Sequence, residues 1–497
     1  MKIAIVASEA APFAKTGGLA DVAGALPKAL AALGHEPLLI MPLYRSVRSS
    51  GTLLSEVARI AVPLHGRSIH ARVMCADIPG TRAPVVFLDH EAYFDRERLY
   101  NHGGEDYLDN CERFAFLSRG AIEAVLALGF DADVFHVHDW QTALIPPYLR
   151  ILYDGDDVLR RAGTVLTIHN MAHQGIFWHW DMKMIGIDWR HYNPGEFEFW
   201  GKMSLLKAGM VYADVLSTVS PTYAREILQP EFGYGLSGVV GDRRDALHGV
   251  VNGIDEKVWD PAADPLIPAR YSAAGLTGKA ACKRALQRRA GFPAAKAPLA
   301  GIVSRFAYQK GLDLVAHALP NAIERHGLQC VVLGDGDDGV RRMFEHVAAR
   351  FPGHVKLFTG LDEGLAHLIT AGADMALVPS RYEPCGLTQL YGLRYGSVPV
   401  VRRTGVLADT VTDCTPDALA AGVATGFVFP DATTESLAHA LDRACTLYAK
   451  HDSWRRLVRA GMEQDWSWDA SARRYLDLYA EARAGVRSRK SPRPYTV

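Results

Sequence analysis

An alternation of short apolar runs with longer segments of helical periodicity constrains the fold of this chain most strongly. Residues 3–6 are apolar throughout, as a strand buried on both faces of a parallel sheet must be. A loop with Lys15-Thr16-Gly17-Gly18 leads from this run into apolar residues at helical spacing, and similar runs occur at 84–88, 134–137 and 164–168. The first half of the chain therefore predicts an α/β domain with a parallel sheet.

The alternation starts again in the second half of the chain. A helix is predicted around residues 279–289, and strand-like runs follow at 299–303, 329–333, 356–358, 375–378 and 398–401. We therefore expect two Rossmann-like, doubly wound domains, at residues 1–250 and 255–467. A helix at about 468–484 is expected to rejoin the first domain, followed by a disordered tail at 485–497. Because ligands bind at the carboxyl ends of such strands, a cleft between the domains is the expected site.

Composition and charge exclude several classes of protein. Of 497 residues, 49% are hydrophobic and 22% charged, which is too apolar for a disordered chain. The 54 basic and 55 acidic side chains give a net charge of -1, whereas nucleic-acid binders carry a basic surplus. Seven scattered cysteines without a Cys-x-x-Cys pair predict free thiols in the cytoplasm. No run is long enough to cross a membrane, and no signal or transit peptide is expected ahead of the first strand.

Two strand-to-helix loops carry cations that suit a diphosphate. In the first, Lys15 precedes the glycine pair at a helix start, where backbone amides carry a partial positive charge. In the second, Arg305 and Lys310 follow the first strand of the second half. An ordinary glycine turn and solvated surface cations are the alternatives. The matching positions of the loops predict that both close on one anion.

A third loop, Pro379 to Thr388, runs from a predicted strand into a helix. The amides of Leu387 and Thr388 are placed to face a phosphate, and Glu383 is suited to accept hydrogen bonds from sugar hydroxyls. The alternative is a carboxylate that caps the helix dipole. Cys385 is interpreted as a small packed residue.

Two patterns offer rival functions. His136, His138 and Asp139 after one strand, with His169 after the next, allow a metal-dependent hydrolase, although hydrogen bonding to a polyol is favoured. The run Gly334-Asp335-Gly336-Asp337-Asp338-Gly339, with Asp362 further on, fits the dinucleotide fingerprint of a dehydrogenase. Its aspartates would repel a pyrophosphate, so we interpret it as a tight turn lining a nucleotide pocket.

The ordered set of motifs resembles the bacterial glycogen synthases and plant starch synthases, which are retaining glucosyltransferases. The resemblance implies an α/β architecture of two Rossmann-like doubly wound domains facing across a deep cleft, the GT-B type. The matching stretches are Lys15-Thr16-Gly17-Gly18-Leu19-Ala20-Asp21-Val22, His138-Asp139-Trp140, Thr167-Ile168-His169-Asn170, Val219-Ser220-Pro221-Thr222-Tyr223-Ala224, Asn252-Gly253-Ile254-Asp255, Ser304-Arg305, Gln309-Lys310-Gly311-Leu312-Asp313 and Glu383-Pro384-Cys385-Gly386-Leu387-Thr388-Gln389-Leu390.

The resemblance also implies roles for particular residues. His169 contacts the transferred glucose and turns its backbone carbonyl to the anomeric centre, and Glu383 lies at the glucose hydroxyls. The implied catalytic residues are His169, Glu383, Arg305 and Lys310. The residues implied to bind ADP-glucose are Lys15, Gly17, Gly18, Asp21, Arg305, Lys310, Cys385, Gly386, Leu387 and Thr388. Further polar positions implied to line the cleft are Glu9, Asp139, Asn170 and Asn252.

The implied reaction is transfer of glucose from ADP-glucose to the non-reducing end of glycogen or another α-1,4-glucan, with retained configuration. The family needs no cofactor and no metal, because cations and a helix start neutralise the diphosphate. Leu361 stands where many members have a Tyr beside the adenine, which predicts weaker base stacking. A donor such as UDP-glucose, another acceptor, and a non-catalytic glucan-binding scaffold are the remaining alternatives. No nucleic-acid or membrane partner is expected.

Overall fold

The computed structural model describes residues 1–488, and the chain divides into two compact units. The first unit comprises Met1–Gly253 together with the segment from Trp468 onward, and the second comprises Ile254–Ser467. Each unit is built on its own sheet with helices packed against it. In both units the central strands are buried on both faces, as their continuous apolar sequences require.

The first unit contains a nine-stranded sheet with the order β14-β13-β9-β8-β1-β2-β5-β4-β3. Its strands and the shorter ones around it are β1 Lys2–Val6, β2 Glu36–Pro42, β3 Ser55–Leu64, β4 Arg67–Asp77, β5 Pro84–Asp89, β6 Asn101–His102, β7 Glu105–Asp106, β8 Val134–His138, β9 Gly163–Ile168, β10 Ile176–Phe177, β11 Glu198–Phe199, β12 Lys202–Ser204, β13 Val215–Thr218 and β14 Leu247–Gly249. The helices up to residue 253 are α1 Gly18–Ala32, α2 Arg45–Ser49, α3 Glu91–Phe94, α4 Asn110–Ala127, α5 Asp139–Thr142, α6 Ile145–Ile151, α7 Asp181–Ile185, α8 Leu205–Tyr212, α9 Pro221–Glu226, α10 Pro230–Gly233 and α11 Ser237–Asp242. All four strands predicted for this half are present.

The sheet of the first unit is mixed, so the expectation of a parallel sheet is wrong at one edge. From β14 to β5 the strands are parallel, but β4 pairs antiparallel with both β5 and β3. Along β3 and β4 buried and exposed residues alternate in part, which is typical of a sheet edge with one solvated face. The tight turn between them places His65 and Gly66 in the left-handed region, at φ 55° and 67°.

The second unit contains a six-stranded, fully parallel sheet with the order β17-β16-β15-β18-β19-β20. Its strands are β15 Leu299–Val303, β16 Gln329–Gly334, β17 Val355–Thr359, β18 Met375–Val378, β19 Val398–Arg402 and β20 Phe427–Phe429. Its helices are α12 Thr277–Ala290, α13 Leu312–His326, α14 Asp338–Arg350, α15 Glu363–Gly372, α16 Thr388–Arg394, α17 Gly405–Thr410, α18 Pro416–Ala420, α19 Thr434–Tyr448 and α20 His451–Met462. The five predicted strands and the helix at 279–289 are confirmed. Strand β20 was not predicted, because its three residues are too few to show a periodicity.

The last helix, α21 at Trp468–Ser488, belongs to the first unit. It packs on β9 and α1, burying Tyr475 and Tyr479. Ser471 Oγ donates to the carbonyl of Val251 at 2.8 Å. The predicted disorder of residues 485–497 is wrong for 485–488, where the helix continues, and residues 489–497 lie outside the described residues. Over residues 1–488, no helix combines the length and apolarity that a bilayer span requires.

Candidate active site

Three polar side chains of the first unit follow the carboxyl ends of adjacent strands. Glu9 follows β1, Asp139 follows β8 and His169 follows β9, and these three strands are neighbours in parallel register. Each of the three residues is buried. The topology thus brings together residues that are up to 160 positions apart in the chain, as the parallel-sheet prediction requires.

Asp139 is bonded directly to the backbone of His169. Its Oδ1 accepts a hydrogen bond from the His169 amide at 2.7 Å. Asp139 itself lies in the left-handed region at φ 54°, a conformation that Asp and Asn tolerate better than most residues. Burial raises the pKa of its carboxyl to about 7, although amide donors oppose the shift. This hydrogen bond fixes the backbone of His169, whose carbonyl is implied by the family resemblance to face the anomeric centre.

The histidines form a buried chain of hydrogen bonds. His138 Nδ1 lies 3.0 Å from His169 Nε2, while His136 Nδ1 lies 2.8 Å from the Tyr479 hydroxyl and its Nε2 lies 2.7 Å from Thr167 Oγ1. Burial lowers the pKa of His136 and that of His169 to about 3, and it lowers the pKa of His138 well below its usual range. These rings are therefore neutral near pH 7. Within residues 1–488, no group of three or more His, Cys, Asp or Glu residues is arranged to hold a metal ion.

The glycine loop is held by Glu9. The backbone amide of Thr16 donates to Glu9 Oε2, and Thr16 Oγ1 lies 3.0 Å from Oε1 and 2.9 Å from Oε2. Burial raises the pKa of Glu9, and the Thr16 bonds counteract that shift. Lys15 Nζ pairs with Asp21 Oδ1 at 2.6 Å across the loop. Both side chains are partly exposed, so this pair is weak and can yield to an incoming anion.

The loop ends at a helix start that no side chain caps. Gly17 is the N-cap of α1, and its side-chain position is open, with no atom within 4 Å of a Cβ placed there. The first amides of the 15-residue helix have no side-chain acceptor at the cap. An anionic group can therefore approach Gly17 and Gly18 closely, as the sequence analysis predicts.

In the second unit, Lys310 and Glu383 form a buried ion pair. Lys310 Nζ lies 2.6 Å from Glu383 Oε2, and Ser380 Oγ donates to the same oxygen at 2.7 Å. Glu383 is almost fully buried, whereas Lys310 is about one-fifth exposed. Oε2 of this carboxylate is thus held by both the lysine and the serine.

Three residues that the sequence analysis did not single out fix this loop. Arg381 donates to both carboxylate oxygens of Asp313, at 2.8 and 2.7 Å, and its guanidinium lies 4.1 Å from the centroid of the Tyr308 ring. The Arg381 guanidinium holds the pKa of Asp313 below its usual range. After Arg381 and Asp313, the third residue is Ser380, which donates to Glu383 Oε2. All lie inside or next to motifs already quoted, but only the tertiary structure shows that they pair.

The other predicted residues of this unit lie on the same two loops as the ion pair. Arg305 is exposed on the loop that leads to Lys310, and its backbone carbonyl accepts from Ser304 Oγ at 3.2 Å. Gly386 lies beside Glu383, since a Cβ there would come 2.9 Å from Glu383 Cγ. Leu387 is the N-cap of α16, which has no side-chain cap, so the helix that starts at Thr388 begins next to Cys385 and Gly386.

The dinucleotide-like run folds as a tight turn that packs on the Arg305 loop. The Phe306 amide donates to the Asp335 carbonyl at 2.7 Å, and a Cβ at Gly336 would lie 2.4 Å from the Phe306 carbonyl oxygen. The start of α14 is already capped, because Asp337 accepts from the Val340 amide. The helix start is therefore occupied by the protein's own carboxylate, which disfavours the dehydrogenase alternative.

Asn252 and Asn170 differ in their surroundings. Asn252 is only 1% exposed, and within the described residues neither polar atom of its amide group has a partner. A buried amide without partners costs free energy, so it is suited to a polar ligand. Asn170 Oδ1 instead accepts from the Ala172 amide at 3.0 Å.

These strand-end sites and the two doubly wound units define a two-domain glycosyltransferase of the GT-B type. Two family profiles match the chain, "Starch synthase catalytic domain" over residues 2–242 and "Glycosyl transferases group 1" over residues 283–460. The chain belongs to the glycogen and starch synthase family and is a glucosyltransferase of that type.

Relatives and solved structures agree with this assignment. A glycogen synthase of Syntrophotalea carbinolica is 46% identical over 97% of this chain and 99% of its own length. One from Anaeromyxobacter dehalogenans is 47% identical over 96% and 98% of the two chains. The catalytic domain of starch synthase IV from Arabidopsis thaliana, bound to ADP and acarbose, matches with a TM-score of 0.88 and 33% identity over 97% and 99%. The predictions of family and fold type are confirmed.

Proposed function

We propose that this glucosyltransferase moves glucose from ADP-glucose to the 4-hydroxyl at the non-reducing end of an α-1,4-glucan, with retained configuration. The observation that carries the proposal is the buried pair of Lys310 and Glu383, together with the exposed Arg305 on the loop that leads to Lys310. A sugar diphosphate offers both kinds of group that such a set recognises, namely anionic oxygens and hydroxyls.

The second unit divides these tasks among its side chains. Arg305 forks two oxygens of the diphosphate, and Lys310 supplies a second positive charge next to it. Glu383 keeps Oε1 for hydroxyls of the glucose, because its Oε2 already accepts from Ser380 and Lys310. The negative charge that develops on the leaving diphosphate is therefore stabilised by cations that are already in position.

The first unit supplies neutral and weakly polar groups. His169 is uncharged near pH 7, so its ring donates or accepts a hydrogen bond without adding a full charge. Asp139 holds its backbone, and the open helix start at Gly17 and Gly18 accommodates anionic oxygens. Lys15 becomes available to them when its exposed pair with Asp21 opens.

The proposed reaction proceeds by front-face substitution. The bond between the anomeric carbon and the diphosphate oxygen breaks, and the acceptor's 4-oxygen bonds to that carbon on the same face. The acceptor proton passes to the departing phosphate oxygen, which leaves as ADP. The cations lower the barrier by binding the leaving group more strongly in the transition state than before it.

We also propose that the reaction needs no metal or other cofactor and takes place in the cytoplasm. Arg305 and Lys310 supply the positive charge that a divalent ion would otherwise bring. All seven cysteines are free thiols, which suits a reducing compartment.

One assay tests the reaction and its donor. Purified protein is incubated with glycogen and either ADP-glucose or UDP-glucose, with and without a chelator, and glucose incorporation is followed. We expect transfer from ADP-glucose that the chelator leaves unchanged. Absence of transfer from both donors contradicts the enzyme proposal, preference for UDP-glucose contradicts the donor, and loss with chelator contradicts metal independence.

A further inference from the structure

An exposed group of aromatic rings lies on the first unit. This tryptophan cluster consists of Trp178, His179, Trp180, Trp189 and Tyr192. The side chains of Trp178, Trp180 and Trp189 are 62%, 57% and 47% exposed. Trp180 and Trp189 stack with their centroids 5.4 Å apart, and Trp189 and Tyr192 stack at 4.8 Å. The cluster therefore leaves a large aromatic surface in contact with solvent, which a protein surface normally avoids.

Buried side chains and hydrogen bonds hold the segment of the tryptophan cluster in place. Met182 and Ile185 of helix α7 are buried, and so is Ile187, two positions after the helix. Asp188 Oδ1 accepts from the Arg190 amide at 2.9 Å, and His179 Nδ1 lies 3.0 Å from the Gly201 carbonyl oxygen. Rings that are already ordered lose little entropy when a ligand covers them.

The segment that carries the tryptophan cluster has no net charge. Residues 178–193 contain two carboxylates, Asp181 and Asp188, and two cations, Lys183 and Arg190, so their formal sum is zero with histidine neutral. Anionic lipid and nucleic acid attract surfaces with excess positive charge. An exposed aromatic surface on a segment without net charge instead suits an uncharged ligand with apolar faces.

We propose that the tryptophan cluster is a docking surface for an α-1,4-glucan chain of the acceptor polymer. A pyranose ring has a face of C–H groups that covers an aromatic ring, while its hydroxyls stay in solvent at the rim. The choice of occupant rests on the proposed function, which makes a neutral, many-chained glucan the substrate. A polymer held at this surface keeps its other chain ends at high local concentration.

The course of the chain connects the tryptophan cluster with the strand-end residues of the same unit. Phe177 immediately precedes the cluster, and its ring lies 5.6 Å from that of Trp140, which follows Asp139. The cluster begins nine positions after His169. A glucan bound there is thus held by the same segment that carries a residue implied to act on the donor.

Binding to glycogen tests the docking surface without relying on catalysis. Native gels containing glycogen give a dissociation constant for the wild type, for Trp178→Ala/Trp180→Ala and for Trp178→Phe/Trp180→Phe. We expect the alanine pair to weaken binding by at least about fivefold and the phenylalanine pair, which keeps the ring faces, to retain most of it. The control Leu53→Ala/Leu108→Ala removes two exposed apolar side chains of the same unit and should change nothing.

Kinetics and molecular mass separate the remaining outcomes. For the alanine pair we expect the KM for glycogen to rise at least about fivefold, while transfer to maltotriose and the KM for ADP-glucose change less than about twofold. An unchanged dissociation constant overturns the proposal, and so does equal loss on both acceptors. A shift in oligomeric mass with unchanged glycogen binding shows that the surface joins two copies instead. Should no donor support transfer, the gel result still decides whether the cluster binds glucan.

Discussion

Lys310 Nζ lies 2.6 Å from Glu383 Oε2, and this ion pair joins two side chains that the sequence analysis assigned to different parts of the donor. The lysine was expected at the diphosphate and the carboxylate at the glucose. Because Glu383 is nearly buried, removing either partner leaves a charge without compensation. The two roles are therefore coupled.

Removing either cation of the second unit should impair the transition state. For Arg305→Ala or Lys310→Ala we expect kcat/KM to fall at least about 100-fold, which corresponds to about 2.7 kcal/mol. Lys296→Ala, which removes an exposed lysine elsewhere in the unit, serves as the charge-matched control. A loss below about threefold would mean that the diphosphate binds elsewhere.

The coupling itself is measurable in a double-mutant cycle. Glu383→Gln keeps the size of the side chain and an oxygen for Ser380 but removes the charge that balances Lys310. We expect each of Glu383→Gln and Lys310→Met to lower kcat by more than about 100-fold. The fold-loss in kcat of the double variant should be far smaller than the product of the two single losses. Additive losses in steady-state assays would show that the two side chains act independently.

The buried histidines make the stability of the first unit depend on pH. The pKa values of His136 and His169 are lowered to about 3 and that of His138 lies well below its usual range, so the unfolded state binds more protons than the folded state once the pH falls below about 6.5. Each contributes stability that is present above pH 6.5 and is lost as the pH falls, by up to about 1.4 kcal/mol per pH unit. We expect the urea midpoint of the transition that exposes Tyr475 and Tyr479 to fall steadily below pH 6.5.

Ionisation of Asp139 should change the stability of the first unit with pH in the opposite direction. Its pKa is raised to about 7, so the folded state holds a proton that the unfolded state releases, and this contribution is lost as the pH rises from about 4 to 7. Asp139→Asn removes this pH-dependent contribution. The variant keeps a side-chain oxygen that can accept from the His169 amide, and asparagine also tolerates a positive φ. The urea midpoint of the variant should rise more steeply with pH than that of the wild type, and equal slopes would contradict the assignment.

Gly405 shows how closely the backbone packs behind Glu383. Its φ is 45°, and a Cβ there would lie 2.2 Å from the Glu383 carbonyl oxygen. We expect Gly405→Ala to lower the melting temperature and to reduce kcat/KM at least about tenfold, because the loop must shift. Gly275→Ala, at a position with open space and no positive φ, is the matched control. Similar behaviour of both variants would show that close packing at Gly405 is unimportant.

Leu361 offers a gain-of-function test of nucleotide binding. The side chain is fully exposed, so Leu361→Tyr should leave the fold unchanged. If the adenine lies beside it, as the family resemblance implies, an added ring should lower the KM for ADP-glucose by about three- to fivefold. The KM for glycogen should stay constant. An unchanged KM for ADP-glucose would place the base elsewhere.

The sequence determined the strands that apolar runs mark and the places where polar residues follow them, because these depend on local patterns. Continuous apolar runs marked nine of the buried strands, and Glu9, Asp139, His169, Arg305 and Glu383 all follow strands as predicted. The antiparallel strands β3 and β4 were missed although they alternate, since a search for apolar runs passes over half-buried strands. The three-residue strand β20 has too few side chains to show any period.

Only the tertiary structure decided which of these side chains meet. The Asp139–His169 bond, the pairing of Lys310 with Glu383 and that of Arg381 with Asp313 each join residues at least 30 positions apart. Their partners and burial arise from the order of strands in each sheet, which local patterns do not encode. The same holds for the depressed histidine pKa values, since desolvation depends on everything packed around a group. Chemistry along the chain was therefore readable from the sequence, whereas proximity and electrostatic environment required the fold.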